Sequence, residues 1–477
     1  VDTLNDIFMH MCFSKTGVLS HSGDSRPFSK DADGTVLGEG IGLLVLKRLA
    51  DAERDGDRIY SVIKGIGSAS DGKSNSIYAP RAEGQVKALR TAYERAGVDP
   101  STVGLIEAHG TGTRVGDEVE FSGLRLLFGE EAAQGQCALG SVKSMIGHTK
   151  AAAGAAGLIK ASLALYNKVL PPTLKVENPD PKLEIEESPF YLNTKSRPWI
   201  NTNGHPRRAG VSAFGFGGSN FHVVLEEYQP EKNAPAWDGS VEILALSAPH
   251  RTALVERLQE VEPLFQPATS PQALAAAAAE SRRSFSPSGV CRLLLLVDHQ
   301  HPKLAPADLY AAALRWVQED VAPTGAPSGN IFFSDQVAQG KIGFLFPGQG
   351  SQYLEMGRDL AALFPQPQAM LASTRRSFGD DPALETRIFP HGNPDKAARA
   401  ELETELRQTD VAQPAIGCLS AAMADILADF GLRPEVTAGH SYGELVALYA
   451  AGWIDSPTLI DLSVARGRHM AAAGRMS

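Results

Sequence analysis

The sequence predicts a multidomain α/β protein, and three observations lead there. With 477 residues the chain is longer than one ordinary core, and a prior of about 150 residues per domain gives roughly two to four. Apolar runs of strand length alternate with amphipathic runs of helix length. The texture also shifts twice, near residue 229 and near residue 341, which divides the chain into segments 1–228, 229–340 and 341–477.

In the first segment, dense in Gly and Ala, GIGLLVLKRL and IYSVIKGIGSAS read as strands. EGQVKALRTAYERAG reads as an amphipathic helix ended by Gly97, and VGLIEAHG as a strand entering a glycine loop. GLIKASLALYNKVLPP is a helix that Pro171 and Pro172 should stop, since proline lacks the N–H a helix needs. AGVSAFGFGGSNFHVVLEEY is a glycine hairpin feeding an apolar strand. The second segment opens on a proline-rich joint, YQPEKNAPAWDGS, and then offers strands VEILALSA, CRLLLLVD and NIFFSD with three helical runs between them. No cluster there suggests chemistry, so it reads as a small α/β spacer. The third segment begins with KIGFLFPGQGSQ, a buried-type strand into a Pro-Gly turn, and runs through the helical DVAQPAIGCLSAAMADILADFG to an elbow at Ser441. No repeat of 20 to 50 residues is present.

Composition narrows the function. A formal charge of -10 excludes the basic stripe of a nucleic-acid-binding surface. No stretch approaches the roughly 18 apolar residues of a bilayer span. Cys12, Cys137, Cys291 and Cys418 form neither a C-x-x-C pair nor a disulfide framework, which fits reduced thiols in a cytoplasmic protein. HMCF has no glycine turn to expose a thiol, so Cys12 is expected to pack in a core. VDTLNDIFMHMCF lacks an initiator Met and a basic n-region and reads as mid-domain sequence.

Two histidines lie among small residues that let a ligand approach the backbone: His109 in EAHGTGTRVGD and His148 in SVKSMIGHTKAAAG, with Lys143 five residues before the second. Two imidazole N–H groups on one thioester oxygen would stabilise the enolate left when a malonyl unit loses carbon dioxide. GTGT lacks the G-K-[ST] ending of a nucleotide phosphate loop. Either histidine alone is more often a structural residue than a catalytic one.

Together, EAHGTGT, SVKSMIGHTKAAAGAAGLIK and SAFGFGGSNFHVVLE resemble the C-terminal half of a ketosynthase, the decarboxylating condensing enzyme of fatty-acid and polyketide synthases. The resemblance implies a thiolase-type layered fold with His109 and His148 as the catalytic histidines. It also implies that Lys143 orients His148, that Thr111 and Thr113 line a pantetheine channel, and that Phe216 gates the acyl pocket. The family's nucleophile is a cysteine in a D-T-A-C-S-type elbow; no such stretch occurs here and Cys12 does not match it.

The third segment places Ser441 in A-G-H-S-Y-G-E, a G-x-S-x-G elbow, some ninety residues after FPGQGSQ. With SVARGRHM these stretches resemble the acyltransferase that moves malonyl units from coenzyme A to an acyl carrier, a partial α/β-hydrolase-like domain. The resemblance implies Ser441 as nucleophile, the Gln349 and Tyr442 amides as oxyanion hole, and Arg466 as a bidentate clamp on the substrate carboxylate. A bare elbow fits a serine hydrolase or thioesterase as well, but such an enzyme has no need of Arg466. His440 and His469 are poorly placed as its base, and the family's base lies downstream, beyond Ser477. An inactive fragment is therefore a further reading.

The order ketosynthase, linker, acyltransferase is that of a type I synthase. The resemblance favours the large subunit of polyunsaturated fatty-acid synthases, with modular or iterative polyketide synthases as alternative. It implies no bound cofactor or metal, malonyl-CoA and other acyl-CoA substrates, an acyl carrier protein with its phosphopantetheine as partner, and a homodimer through the ketosynthase. The basic HPRR stretch, Arg207 and Arg208 included, is expected to greet that carrier.

Overall fold

The computed structural model describes residues 1–72, 80–129, 134–201, 204–236, 239–300, 302–319, 329–336, 340–378, 383–392 and 394–474. Of the joint YQPEKNAPAWDGS, Trp237 and Asp238 lie outside the described residues. Two compact units emerge, one formed by Val1–Ala236 together with Ile342–Ser477, the other by Trp237–Lys341.

In the larger unit a six-stranded mixed sheet runs in the order Val62–Ser70, Ser219–Glu226, Arg208–Gly215, Leu105–Glu107, Cys137–Gly140, Phe190–Leu192. The first three strands pair antiparallel, and the remaining pairs are parallel. The parallel strands are short and buried on both faces, as all-parallel pairing requires. Helix Ala82–Ala96, closed by Gly97 in the left-handed region at φ 61°, packs on Val62–Ser70 so closely that a Cβ on Gly67 would sit 1.9 Å from the Ala88 carbonyl oxygen. Helix Ala153–Asn167 packs on Arg208–Gly215 and Leu105–Glu107.

Four expectations need correction. Residues 41–48 of GIGLLVLKRL pair with no described strand, and Leu43 and Val45 are 87% and 91% exposed. An apolar run signals a preference for burial, and pairing needs a neighbouring edge that no described residue supplies. Helix Ile7–Thr16 buries none of its residues, so Cys12 is exposed rather than packed. The helix before Pro171 ends three residues earlier, at Lys168 in the left-handed region (φ 57°), and Val169–Leu170 forms a short strand before the prolines. Finally, helix Thr409–Asp429 is long and apolar enough to cross a bilayer by length and composition, but most of it is buried inside the fold, as in a core helix.

Further along the larger unit, Gly343–Phe346 and Val436–Gly439 pair in parallel, and their ends carry the serine elbow. Helices Thr409–Asp429 and Ser456–Gly474 pack on each other beside it. The smaller unit is a three-stranded antiparallel sheet, Ile331–Ser334, Cys291–Asp298, Val241–Ala248, with helices Arg251–Glu260, Pro271–Ser284 and Pro306–Glu319 closing its core around Leu244, Leu293 and Leu295.

Candidate active sites

The loop after Leu105–Glu107 is shaped by helix Arg114–Phe128. Asp117 and Glu120 lie three residues apart on one helix face and are buried. Asp117 accepts the amides of Phe28 (2.8 Å), Thr111 (3.0 Å) and Gly112 (3.2 Å). Glu120 accepts those of His109 (2.7 Å) and Gly110 (2.8 Å). Gly112, at φ 80°, lies so near the chain at Gly34 that a Cβ would stand 2.8 Å from the Gly34 carbonyl oxygen, so glycine is needed there. Burial pushes both carboxyls up to about 7, against the pull of these amides.

His148 reaches the same place from the other motif. Gly147 turns the chain at φ 71°, and the His148 amide donates to the Val36 carbonyl at 2.6 Å. The His109 and His148 rings then meet edge to face with centroids 5.2 Å apart and planes at 81°. Phe214 walls the His109 side at 5.9 Å. The Lys150 amide donates to His148 Nδ1 at 3.0 Å, so the neutral ring carries its proton on Nε2, where it is a donor. Burial, with Lys143 second, holds His109 well below the usual histidine range and His148 down at about 3. Both imidazoles are therefore neutral near pH 7.

Lys143, which the resemblance makes the lysine that orients His148, lies near enough to both imidazoles for its charge to oppose their protonation. Its buried ammonium donates to the backbone carbonyl of His109. Thr111 and Thr113 share a hydroxyl hydrogen bond of 2.8 Å and are half-buried. Phe216 sits in the turn between Arg208–Gly215 and Ser219–Glu226, 55% exposed, with its ring 6.0 Å from that of Phe13. HPRR is no free basic patch: Arg207 is buried on Glu227 (2.7 Å) and Arg208 pairs with Glu226 (2.8 Å). Sequence alone could not find these acids, which arrive from the neighbouring strand and its end.

At the second site Ser441 has φ 53°, a strained value for a serine that fits a sharp strand-to-helix elbow before helix Gly443–Ala450. A Cβ on Gly443 would lie 2.3 Å from the Phe346 carbonyl oxygen, and one on Gly439 2.1 Å from the Gly443 carbonyl carbon. Both glycines of the motif are thus set by contact. Tyr442 is fully buried and its hydroxyl bonds Ser463 at 2.6 Å. That bond ties the elbow to helix Ser456–Gly474, and one turn later Arg466 places Nη2 3.5 Å from Ser441 Oγ. Arg466 Nη1 is buried with no hydrogen-bond partner among the described residues. Gln349 is exposed; its side-chain amide donates to Thr409 Oγ1 at 3.2 Å, and a Cβ on the preceding Gly348 would meet the His440 carbonyl oxygen at 2.6 Å. His440 and His469 are both exposed. No group of three or more His, Cys, Asp or Glu among the described residues could hold a metal ion.

Family models tile most of the chain: the beta-ketoacyl synthase N-terminal domain over residues 1–52, its C-terminal domain over 60–177, the ketoacyl-synthetase C-terminal extension over 179–290, and the acyl transferase domain over 343–475. The chain belongs to the ketosynthase–acyltransferase regions of polyketide and polyunsaturated fatty-acid synthases. This ketosynthase–acyltransferase region carries the domain architecture of a condensing enzyme and an acyltransferase, and its sheet and helices form a layered α/β fold. It is 40% identical to a polyunsaturated fatty acid synthase polypeptide from Thraustochytrium sp. over 98% of this chain and 18% of that one. With polyketide synthase GfsE from Streptomyces halstedii the identity is 35% over 97% of this chain and 12% of that one. The ketosynthase from module 6 of the bacillaene synthase of Bacillus subtilis 168 matches at 36% identity over 70% of this chain and 56% of that chain, with a TM-score of 0.47. The region thus spans less than a fifth of either synthase.

Proposed function

We propose that this region performs two acyl-transfer steps of a synthase. In the first, Ser441 Oγ attacks the thioester carbonyl of malonyl-CoA, the carbon–sulfur bond breaks, and coenzyme A leaves as the free thiol with the proton the serine hydroxyl gives up. Arg466 holds the free carboxylate, and the amides of Gln349 and Tyr442 receive the oxyanion. The malonyl group then passes to the phosphopantetheine thiol of an acyl carrier. In the second step the bond to the malonyl carboxylate breaks, carbon dioxide leaves, and its electron pair becomes an enolate. His109 and His148 donate to the enolate oxygen before the carbanion attacks an acyl thioester. Thr111 and Thr113 line the approach of the pantetheine arm, and Phe216 gates the acyl pocket.

The observation that carries this reading is the edge-to-face meeting of two neutral imidazoles, one with its Nε2–H free to donate. Neutral rings suit the role: each gives a hydrogen bond to a developing negative charge without first losing a proton. The linker lies within segment 229–340, and the flanking segments 1–228 and 341–477 are the ketosynthase and acyltransferase portions. A homodimer through the ketosynthase portion is part of the same reading.

For the product class the modular polyketide synthase has the broader support: relatives named polyketide synthases from Streptomyces halstedii match at 34–36% identity over 96–97% of this chain. The polyunsaturated fatty-acid reading rests on the Thraustochytrium relative. Incubating a synthase that contains this chain with radiolabelled malonyl-CoA and mapping the acyl-enzyme tests the first step. Label on Ser441 is expected; free malonate with no covalent label would favour a hydrolase instead.

A further inference from the structure

Glu107 ends strand Leu105–Glu107, two residues before His109, and none of the steps above uses it. It is fully buried, with one carboxylate oxygen accepting the Val142 amide at 2.6 Å and the other 2.7 Å from Lys160 Nζ. Lys160 comes from helix Ala153–Asn167, and Gly157 of the same helix makes room for the acid: a Cβ there would touch Glu107 Cγ at 3.2 Å. Val142 is followed at once by Lys143, whose ammonium returns to the His109 carbonyl. One carboxylate therefore connects the strand that leads to His109, the turn that precedes Lys143 and the helix that carries Lys160.

We propose that Glu107 and Lys160 form a positioning pair for the condensing site, in which Glu107 holds the Val142 amide just before Lys143 and favours the charged Lys143 ammonium while Lys160 opposes that charge. The inference rests on the ketosynthase reading above. The groups facing Lys143 are the acids Glu107, Glu120 and Asp117, the cation Lys160 and the two imidazoles. Burial lowers the Lys143 ammonium to about 8, near the working pH, so a change of one neighbouring charge alters how much of it is protonated. The charged form also helps to keep both imidazoles neutral, since it opposes their protonation. The pair thus acts on the chemistry through Lys143 without touching substrate.

The two members should move Lys143 in opposite directions. Removing Glu107 takes away an attractive charge and lowers the Lys143 midpoint; removing Lys160 takes away a repulsive one and raises it. The test follows the Lys143 13Cε resonance of the labelled 477-residue chain against pH, assigned with Lys143→Arg. A wild-type midpoint near 8 is expected, with Glu107→Gln lower by about one pH unit, Lys160→Met higher by a similar amount, and the double variant returned close to wild type. The alkaline limb of malonyl-thioester decarboxylation should follow these midpoints, whereas a merely structural role would lower the rate equally at every pH. Midpoints that stay fixed, or that move the same way in both single variants, overturn the proposal. If Glu107→Gln does not fold, the upward shift in Lys160→Met decides alone. Opposite shifts in the two single variants, with no decarboxylation by the wild-type chain, would overturn the ketosynthase reading and uphold the electrostatic pairing.

Discussion

The imidazoles of His109 and His148 stand edge to face, 5.2 Å between centroids, although 39 positions separate them in the chain. Neither ring is held by the other. His109 is fixed through its own amide on Glu120 and its carbonyl on Lys143, His148 through its amide on Val36 and its Nδ1 on the Lys150 amide. Glu120→Ala leaves the buried amides of His109 and Gly110 without acceptors. At about 1–3 kcal/mol for each unsatisfied group, urea unfolding should show a loss of several kcal/mol, and decarboxylation should fall at least about tenfold.

Acid should loosen the first site. His148 titrates at about 3 in the folded chain against 6.5 for the free side chain. Between those values the unfolded chain binds a proton that the folded chain refuses, so stability rises with pH. The contribution is fully present above about 6.5 and is lost as pH falls toward 3. Urea midpoints of wild type and His148→Asn measured from pH 4 to 7 should diverge, wild type losing more on the acid side. A difference constant with pH would count against a buried neutral imidazole.

Arg466 should set substrate choice more than nucleophile reactivity. Its Nη1 is buried with no hydrogen-bond partner among the described residues, and Nη2 lies 3.5 Å from Ser441 Oγ. Arg466→Ala is expected to reduce acylation by malonyl-CoA about 10- to 100-fold, the worth of hydrogen bonds to a charged group, while acylation by acetyl-CoA changes little. Competition between the two thioesters, read by mass spectrometry of Ser441, measures this. An equal loss for both would show that the arginine supports the fold of the elbow instead.

The elbow itself should refuse side chains. Gly443→Ala forces a Cβ to 2.3 Å from the Phe346 carbonyl oxygen, and Gly439→Ala forces one to 2.1 Å from Gly443. Overpacking against backbone costs about 1–3 kcal/mol or more, so either variant should lower the thermal midpoint by several degrees and abolish acylation of Ser441. An alanine variant with wild-type stability and acylation would mean that the turn is looser than its geometry.

What the sequence made legible was local. EAHGTGT and AGHSYGE carry their glycines because backbone approaches backbone within a few residues, and a pattern of small residues records that directly. Alternating strands and helices were readable for the same reason, as with CRLLLLVD, whose buried and half-buried positions alternate along Cys291–Asp298. Partners distant in sequence were not readable. The Lys143 ammonium bonds the His109 carbonyl, 34 positions back in the chain, and Arg207 and Arg208 are neutralised by Glu227 and Glu226 across a strand pair. GIGLLVLKRL failed as a strand because apolar composition measures a wish for burial, which a sheet edge must satisfy. Cys12 failed likewise: its neighbours are apolar, but the helix they form lies in the open.

The most direct test separates the two sites within one synthase that contains this chain. Malonyl-CoA is supplied to wild type, Ser441→Ala and the double variant His109→Ala/His148→Ala, and two signals are read: acyl mass on residue 441 and carbon dioxide released. The account predicts that the double variant keeps wild-type acylation of Ser441 but releases carbon dioxide at least about a hundredfold more slowly, since both donors to the enolate are gone. Undiminished carbon dioxide release from the double variant would contradict it.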